Sequence, residues 1–245
     1  LFYENGEVPF SGHTTQTDQF GLSLTVTLEQ TTSGYATVRG LSLPRADVIS
    51  AFATSVPAEF LPLVVQDSGG APLRLLSPAL VTPGALVSYF DSAIDDFWSQ
   101  FSTTTFAYSA PSYTVEGTVD AMGRFAYTVT PTGGSPSAYF MAKPTTPQVF
   151  AGSGPFIGAG SQGAFLAELN AAFNRGIAMT PGEWANVAAY YPAGAPSNHY
   201  AKVFHVLSIQ NLALGFPTDD AQGQSSRQTL ANSLPPSRFV ITVQP

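Results

Sequence analysis

The chain has 245 residues, of which only 10% are charged, and it carries a net charge of −7 with a pI of about 4.7. No basic run is present, so nucleic acid is excluded as a partner, because a phosphate binder needs a concentrated positive footprint. The absence of cysteine rules out disulfides, thiol catalysis and thiolate metal sites, and no apolar stretch is long enough to span a bilayer. The length suits one large domain or two small ones. Twenty-two Gly and 20 Pro, with many Ser and Thr, favour short strands and many turns. Low charge and low lysine point to an exported protein.

In chain order, Phe20 to Glu29 alternates Leu22, Leu24, Val26 and Leu28 against polar residues, the period of a strand with one buried face. A shorter strand over Tyr35 to Leu41 follows a Thr-Thr-Ser-Gly turn. Pro44 to Ser55 reads as a helix, with Pro44 at its start and Val48, Ile49 and Phe52 on one face. Short strands are expected over Phe60 to Gln66 and Leu73 to Pro78. Ser88 to Phe101 is the clearest helix, with Phe90, Ile94, Phe97, Trp98 and Phe101 on a core stripe and Asp95 and Asp96 on a solvated edge. Tyr113 to Val119 and Gly123 to Thr130 form a hairpin across Asp120-Ala-Met-Gly123. A helix over Ser161 to Arg175 presents Phe165, Leu166, Leu169 and Phe173 and ends at Gly176, a natural residue to follow a helix. Pro181 to Ala189 suggests a short helix, Tyr200 to Leu207 with Asn211 to Pro217 a second hairpin, and Phe239 to Val243 a closing strand.

Strands at both ends and helices in the middle predict an α+β protein of two parts. Residues 1–43 and 181–245 would form a β-rich barrel or sandwich body, and 44–180 an inserted α/β lobe. A cleft between them would be the place for a polymer to bind.

Two carboxylates lie near the start, Glu4 in LFYENGE and Asp18 in GHTTQTDQF. A carboxylate pair across a groove is the minimal equipment for hydrolysing a glycosidic bond; the same two residues also fit ordinary strand-end acids, and Glu7 is a rival acid. The block resembles the catalytic stretch of the family 64 glycoside hydrolases, the laminaripentaose-producing β-1,3-glucanases, and more weakly that of thaumatin-like proteins. Further along, Phe140-Met-Ala-Lys-Pro-Thr-Thr-Pro-Gln-Val-Phe150, Asn170-Ala-Ala-Phe-Asn-Arg175, Asn198-His-Tyr-Ala201 and Gly215-Phe-Pro-Thr-Asp-Asp220 resemble family segments in the same order. Ser88-Tyr-Phe-Asp91 and Val203-Phe-His205 fit as well.

The resemblance implies a thaumatin-like body and an inverting, metal-independent and cofactor-independent hydrolysis of β-1,3-glucan, with Glu4 as general acid and Asp18 as general base. It also implies sugar contacts from Phe10, His13, Thr14, Thr15, Asp219 and Asp220. Trp184 and Tyr190-Tyr191 lie in a loop-rich region and are candidates for stacking on the glucan. His199 and His205 share strand parity but have no third ligand nearby, which argues against a metal.

The sequence departs from the family pattern in three places. Gly152 and Asn170 stand where the family has two bridging cysteines. The loop between the carboxylates is shorter and lacks the family's Trp, leaving Phe10 as its nearest aromatic. The β-rich stretch that precedes the Glu in the family is not in this sequence, which begins at Leu1 without an initiator Met, so a processed or partial product is expected: either it lacks part of the barrel, or a separate N-terminal segment completes it. These departures keep a second reading open, a non-catalytic glucan-binding or structural module with a decayed cleft.

Overall fold

The computed structural model describes residues 9–244. Its elements run in the order β1 (Ser11–Gly12), β2 (Gln19–Phe20), β3 (Leu24–Gln30), β4 (Tyr35–Gly40), α1 (Arg45–Ser55), β5 (Val64–Gln66) and β6 (Pro72–Leu76). Then follow α2 (Asp91–Thr103), β7 (Phe106–Ala110), β8 (Tyr113–Val119), β9 (Phe125–Pro131), β10 (Ser137–Met141), α3 (Thr146–Ala151) and α4 (Gly160–Asn174). The chain closes with α5 (His199–Leu207), β11 (Gln228–Thr229) and β12 (Arg238–Val243). Short 3-10 turns join several of these. All strand pairings among the named strands are antiparallel, so the protein is of the α+β class.

The chain forms two compact units. One takes in the residues up to Val81 together with His199 onward, and the other is Thr82–Asn198. The boundaries expected from sequence, at 43/44 and 180/181, therefore differ from the observed ones. Residues 44–81 belong with the terminal part because β6 pairs with β2 in register Phe20↔Leu75 and α1 packs on α5, as Phe52 against Tyr200 at 6.0 Å. Residues 181–198 belong with the middle because Trp184 inserts among Phe106, Tyr108 and Phe165.

In the first unit, β12, β3 and β4 form one sheet and β2, β6 and β5 another, while β1 pairs with β11. The alternation read from Phe20 to Glu29 produces β3, where Leu28 is fully buried while Val26 stays half-exposed. Gly40, at φ 107°, closes β4; a Cβ there would lie 2.3 Å from the carbonyl oxygen of Leu24, so no side chain fits. The segment expected to be a strand over 60–66 is mostly a 3-10 turn, Ala58–Leu63, before β5.

The hairpin expected over 200–207 and 211–217 is absent. Residues 199–207 form α5, with Tyr200, Ala201, Val203, Phe204 and His205 buried. Both periods are present in that stretch, and the helix wins because i, i+3 and i+4 spacing buries Tyr200, Val203 and Phe204 together.

In the second unit, β7 to β10 form a meander in the order β10-β9-β8-β7, and α2 and α4 carry the expected phenylalanines into its core. Phe106 touches Phe97, Phe101, Phe125, Phe165 and Trp184. Fully burying each such ring stabilises the fold by about 1.5–3 kcal/mol, and edge-to-face pairs add about 0.5–1.5 kcal/mol. Trp98 lies in this core, as expected, with its indole N–H donating to the Gly123 carbonyl at 3.0 Å. Asp95 is an exposed helix-edge residue that pairs with Lys143. β7, β10 and α3 are elements that the sequence pattern did not single out.

Where the family resemblance implies a cystine bridge, hydrogen bonds take over. Gly152 caps α3 in the left-handed conformation, φ 55° and ψ 36°. Asn170 on α4 is fully buried and donates from Nδ2 to the Val149 carbonyl at 2.8 Å, which joins the two helices directly. Asn174 donates to the same oxygen at 2.9 Å.

Candidate active site

Glu4 and Glu7 lie outside the described residues, so the geometry of the site is built from Asp18. The residue sits in a bend that leads into β2, and its side chain is exposed. The main chain around it is held on several sides. The Gln16 N–H donates to the Leu214 carbonyl at 2.9 Å, and the Gln16 carbonyl accepts from the Tyr200 hydroxyl at 2.7 Å. The Asp18 carbonyl accepts the Ser77 N–H at 2.9 Å. A free carboxylate on a fixed backbone is the condition a general base needs, since pre-set geometry removes the entropy of finding it.

The rest of the segment is tied down from the far end of the chain. Thr14 is buried, and its carbonyl accepts a hydrogen bond from Ser226. Thr15 is exposed, its hydroxyl 2.8 Å from that of Thr17. Tyr200 is buried, and burial together with the neighbouring Asp18 charge holds its phenol well above the ordinary tyrosine range. The hydroxyl therefore stays protonated and remains a donor at any working pH. Of the described candidates, His13, Thr15, Asp18 and Asp220 expose their side chains. Partial burial holds His13 below the ordinary imidazole pKa; the Arg227 charge acts in the same direction and Asp220 opposes it. His13, Asp220 and Arg227 thus share one electrostatic neighbourhood.

Other candidates are placed differently from their expected roles. Asp219 is fully buried and contacts protein instead of solvent. Its carboxylate faces His205 Nε2 at 2.9 and 3.0 Å and accepts the Gly215 N–H at 2.9 Å, which leaves no surface for a sugar. Phe10 is half-buried and packs its ring on Phe239, 5.5 Å between centroids. Thr14 turns its side chain into the protein.

Trp184 is only 2% exposed, and its indole N–H donates to the Ile177 carbonyl at 3.1 Å. It belongs to the aromatic core and cannot serve as a sugar platform. Tyr190 is half-buried under the Arg175 guanidinium, 4.6 Å from the ring centre, and donates to the Trp184 carbonyl at 2.7 Å.

Sequence reasoning missed Tyr200, His205 and Leu214 as supports of the site. Helical spacing in His199-Tyr-Ala-Lys-Val-Phe-His-Val-Leu207 was the signal that would have put Tyr200 and the Phe204 ring on one buried face. Gln16, the partner of Tyr200 and Leu214, lies far away in sequence, 184 residues from Tyr200, and carries no local signal. Among the described residues, no cluster of three or more His, Asp or Glu could hold a metal, and no helix is long and apolar enough to cross a membrane.

The family profile described as β-1,3-glucanase, glycoside hydrolase family 64, matches residues 3–243. Solved structures agree. A β-1,3-glucanase domain of this family from Clostridium beijerinckii superposes with a TM-score of 0.82 at 33% identity, covering 96% of this chain and 60% of that one. A laminaripentaose-producing β-1,3-glucanase in complex with laminaritetraose shares the fold, with a TM-score of 0.81 at 24% identity over 99% of this chain and 67% of that one. A Paenibacillus barengoltzii family 64 enzyme complexed with laminarihexaose gives a TM-score of 0.63 at 26% identity, over 96% of this chain and 43% of that one. The chain thus spans about 60% of the length of the Clostridium structure. A search of curated protein sequences found no match. With nearly its whole length matched to the profile, and with the Clostridium domain a third identical, the chain belongs to glycoside hydrolase family 64, the β-1,3-glucanases.

Proposed function

We propose that this protein hydrolyses β-1,3-glucan by an inverting mechanism, with Glu4 as general acid and Asp18 as general base. The observation that carries the reading is Asp18: in a chain of this family, it is an exposed carboxylate on a backbone fixed at Gln16 and at Asp18 itself. The relatives solved with laminaritetraose and laminarihexaose support a β-1,3-linked glucose polymer as substrate. In the proposed reaction Asp18 takes a proton from water as the water attacks the anomeric carbon. Glu4 protonates the departing glycosidic oxygen from the opposite side. Such pairs stand roughly 6.5–9.5 Å apart to admit the water.

Thr15, His13 and Asp220, exposed beside Asp18 in sequence or in electrostatic contact with one another, are proposed to line the glucan-binding surface. We take the strands of the first unit as a thaumatin-like body. Low charge and low lysine support a secreted protein.

The test is reducing-sugar release from laminarin and curdlan by the parent, Glu4→Gln and Asp18→Asn, with proton NMR of the first products. Cleavage by the parent to products released as α-anomers, with loss of at least about 100-fold in both variants, is the expected result. β-Anomers would overturn the inverting mechanism. Binding to curdlan without cleavage would replace hydrolysis by the glucan-binding reading.

A further inference from the structure

His205 and Asp219 form a buried pair that the proposed chemistry does not use. His205 lies on the inner face of α5, and both of its ring nitrogens face acceptors. Nδ1 is 2.8 Å from the Asn211 carbonyl, and Nε2 is 2.9 Å from Asp219 Oδ2. Both ring nitrogens therefore lie within hydrogen-bond distance of oxygen, and a fully buried Asp219 carboxylate needs such polar partners. Burying such a pair is costly, because its polar groups lose their hydration.

Asp219 Oδ2 also accepts the Gly215 N–H at 2.9 Å. That N–H belongs to the same peptide group as the Leu214 carbonyl, which accepts the Gln16 N–H at 2.9 Å and the Thr17 hydroxyl at 3.4 Å. One peptide plane therefore spans the distance from the buried His205–Asp219 pair to the segment that carries Asp18. A hydrogen bond from a charged acceptor polarises the peptide and strengthens the bond on its other side. The plane is also pinned sterically. A Cβ on Gly215 would lie 2.8 Å from the Cα and the Cβ of Ala201 on α5, so only glycine lets this strand of chain press on the helix. Tyr200, on the same helix as His205, holds the carbonyl side of Gln16. Helix α5 thus reaches both polar groups of the Gln16 main chain, once directly and once through Asp219 and the 214–215 peptide.

We infer that His205 and Asp219 are positioning residues for Asp18, acting through the Leu214–Gly215 peptide to fix the height of the Thr14–Asp18 segment. Neither touches substrate. The catalytic part of this inference rests on Asp18 being the base; the structural part does not. It also assigns Asp219 a role other than the sugar contact its motif suggested.

Two measurements on the full chain test it. The first is amide hydrogen exchange, resolved at Gln16, for the parent, Asp219→Asn, His205→Gln and a control, Leu28→Val, which loosens the core of the same unit away from the network. In Asp219→Asn the amide of Gln16, which bonds the Leu214 carbonyl, should exchange at least about tenfold faster, with those of β3 and the Thr17 amide, bonded locally to Thr15 Oγ1, unchanged. His205→Gln keeps an N–H to offer Asp219 and should give a smaller effect, so it reports even where Asp219→Asn does not fold. Equal exchange at Gln16 in parent and variants, or a rise no larger than in Leu28→Val, overturns the inference.

The second measurement is the steady-state kinetics of laminarin hydrolysis. A base displaced by a fraction of an ångström loses turnover and not affinity, so kcat should fall about 10–100-fold with KM within about twofold. Parent-like kcat in Asp219→Asn and His205→Gln beside an inactive Asp18→Asn overturns the inference while leaving the catalytic reading intact. An active Asp18→Asn overturns the catalytic reading instead, and the exchange data then decide the structural link alone.

Discussion

Tyr200→Phe isolates one hydrogen bond at the candidate site. The ring contacts with Phe52 at 6.0 Å and Phe204 at 4.8 Å survive the substitution, because only the hydroxyl is removed. What is lost is the 2.7 Å bond from that hydroxyl to the Gln16 carbonyl. A buried neutral hydrogen bond contributes about 1 kcal/mol, and leaving its acceptor unsatisfied raises the cost to about 1–3 kcal/mol. Taking about 2 kcal/mol, and roughly 2–4 °C per kcal/mol for a chain of this size, the thermal midpoint should fall by roughly 4–8 °C. Burial and Asp18 hold the phenol protonated far above the working range, so the difference between parent and variant should be constant from pH 5 to 8. Scanning fluorimetry at several pH values reads both quantities. Because Gln16 stands two residues before Asp18, laminarin turnover measured well below the midpoint should fall as well. An unchanged midpoint would show that the hydroxyl does not hold the Gln16 carbonyl, and the account of how Asp18 is fixed would fail with it.

Asn170→Ala removes the buried bond to the Val149 carbonyl and leaves a small void; urea titration should show a loss of about 2 kcal/mol. Gly152→Ala places a Cβ in the left-handed conformation and should cost about 1–2 kcal/mol by the same assay. Phe106→Ala, at the centre of the second unit's aromatic cluster, should cost about 3–5 kcal/mol; a loss below 1 kcal/mol would mean the cluster is not packed as described.

His199 gives a pH effect. Its ring lies against Phe60, and burial holds its pKa below the ordinary value, with Lys202 adding and Glu59 opposing. The unfolded chain then takes up the proton first, so this contribution to stability is complete above about pH 6.5 and is lost as pH falls towards the folded-state pKa. His199→Gln should flatten the fall in thermal midpoint between pH 7 and 5 relative to the parent, and a slope identical to the parent's would refute the shift.

Much of the local structure was legible in the sequence because its causes are local. Alternation in Leu24, Val26 and Leu28 made β3, the Asp120-Ala-Met-Gly123 turn joined β8 to β9, and helical spacing gave α1, α2 and α4. Glu4 is named by motif alone, since it lies outside the described residues. Residues 199–207 show where local pattern runs out. Their apolar residues satisfy both periods, and the helix was chosen by tertiary partners: Phe52 and Gln16, remote in sequence, for Tyr200, and Asn211 and Asp219, beyond the end of the helix, for His205. Trp184 sat among Gly and Pro and read as a surface aromatic, but Phe106, Tyr108 and Phe165 enclose it. The roles of the two acids in the Asp219-Asp220 pair diverge for the same reason. Composition makes them equivalent; folding buries Asp219 against an imidazole and a peptide N–H and leaves Asp220 in solvent. The sequence by itself determined the family and those elements whose signals are local, β3, the β8–β9 hairpin, α1, α2 and α4. Burial and pairing depend on which distant residues meet, and only the tertiary structure decided them.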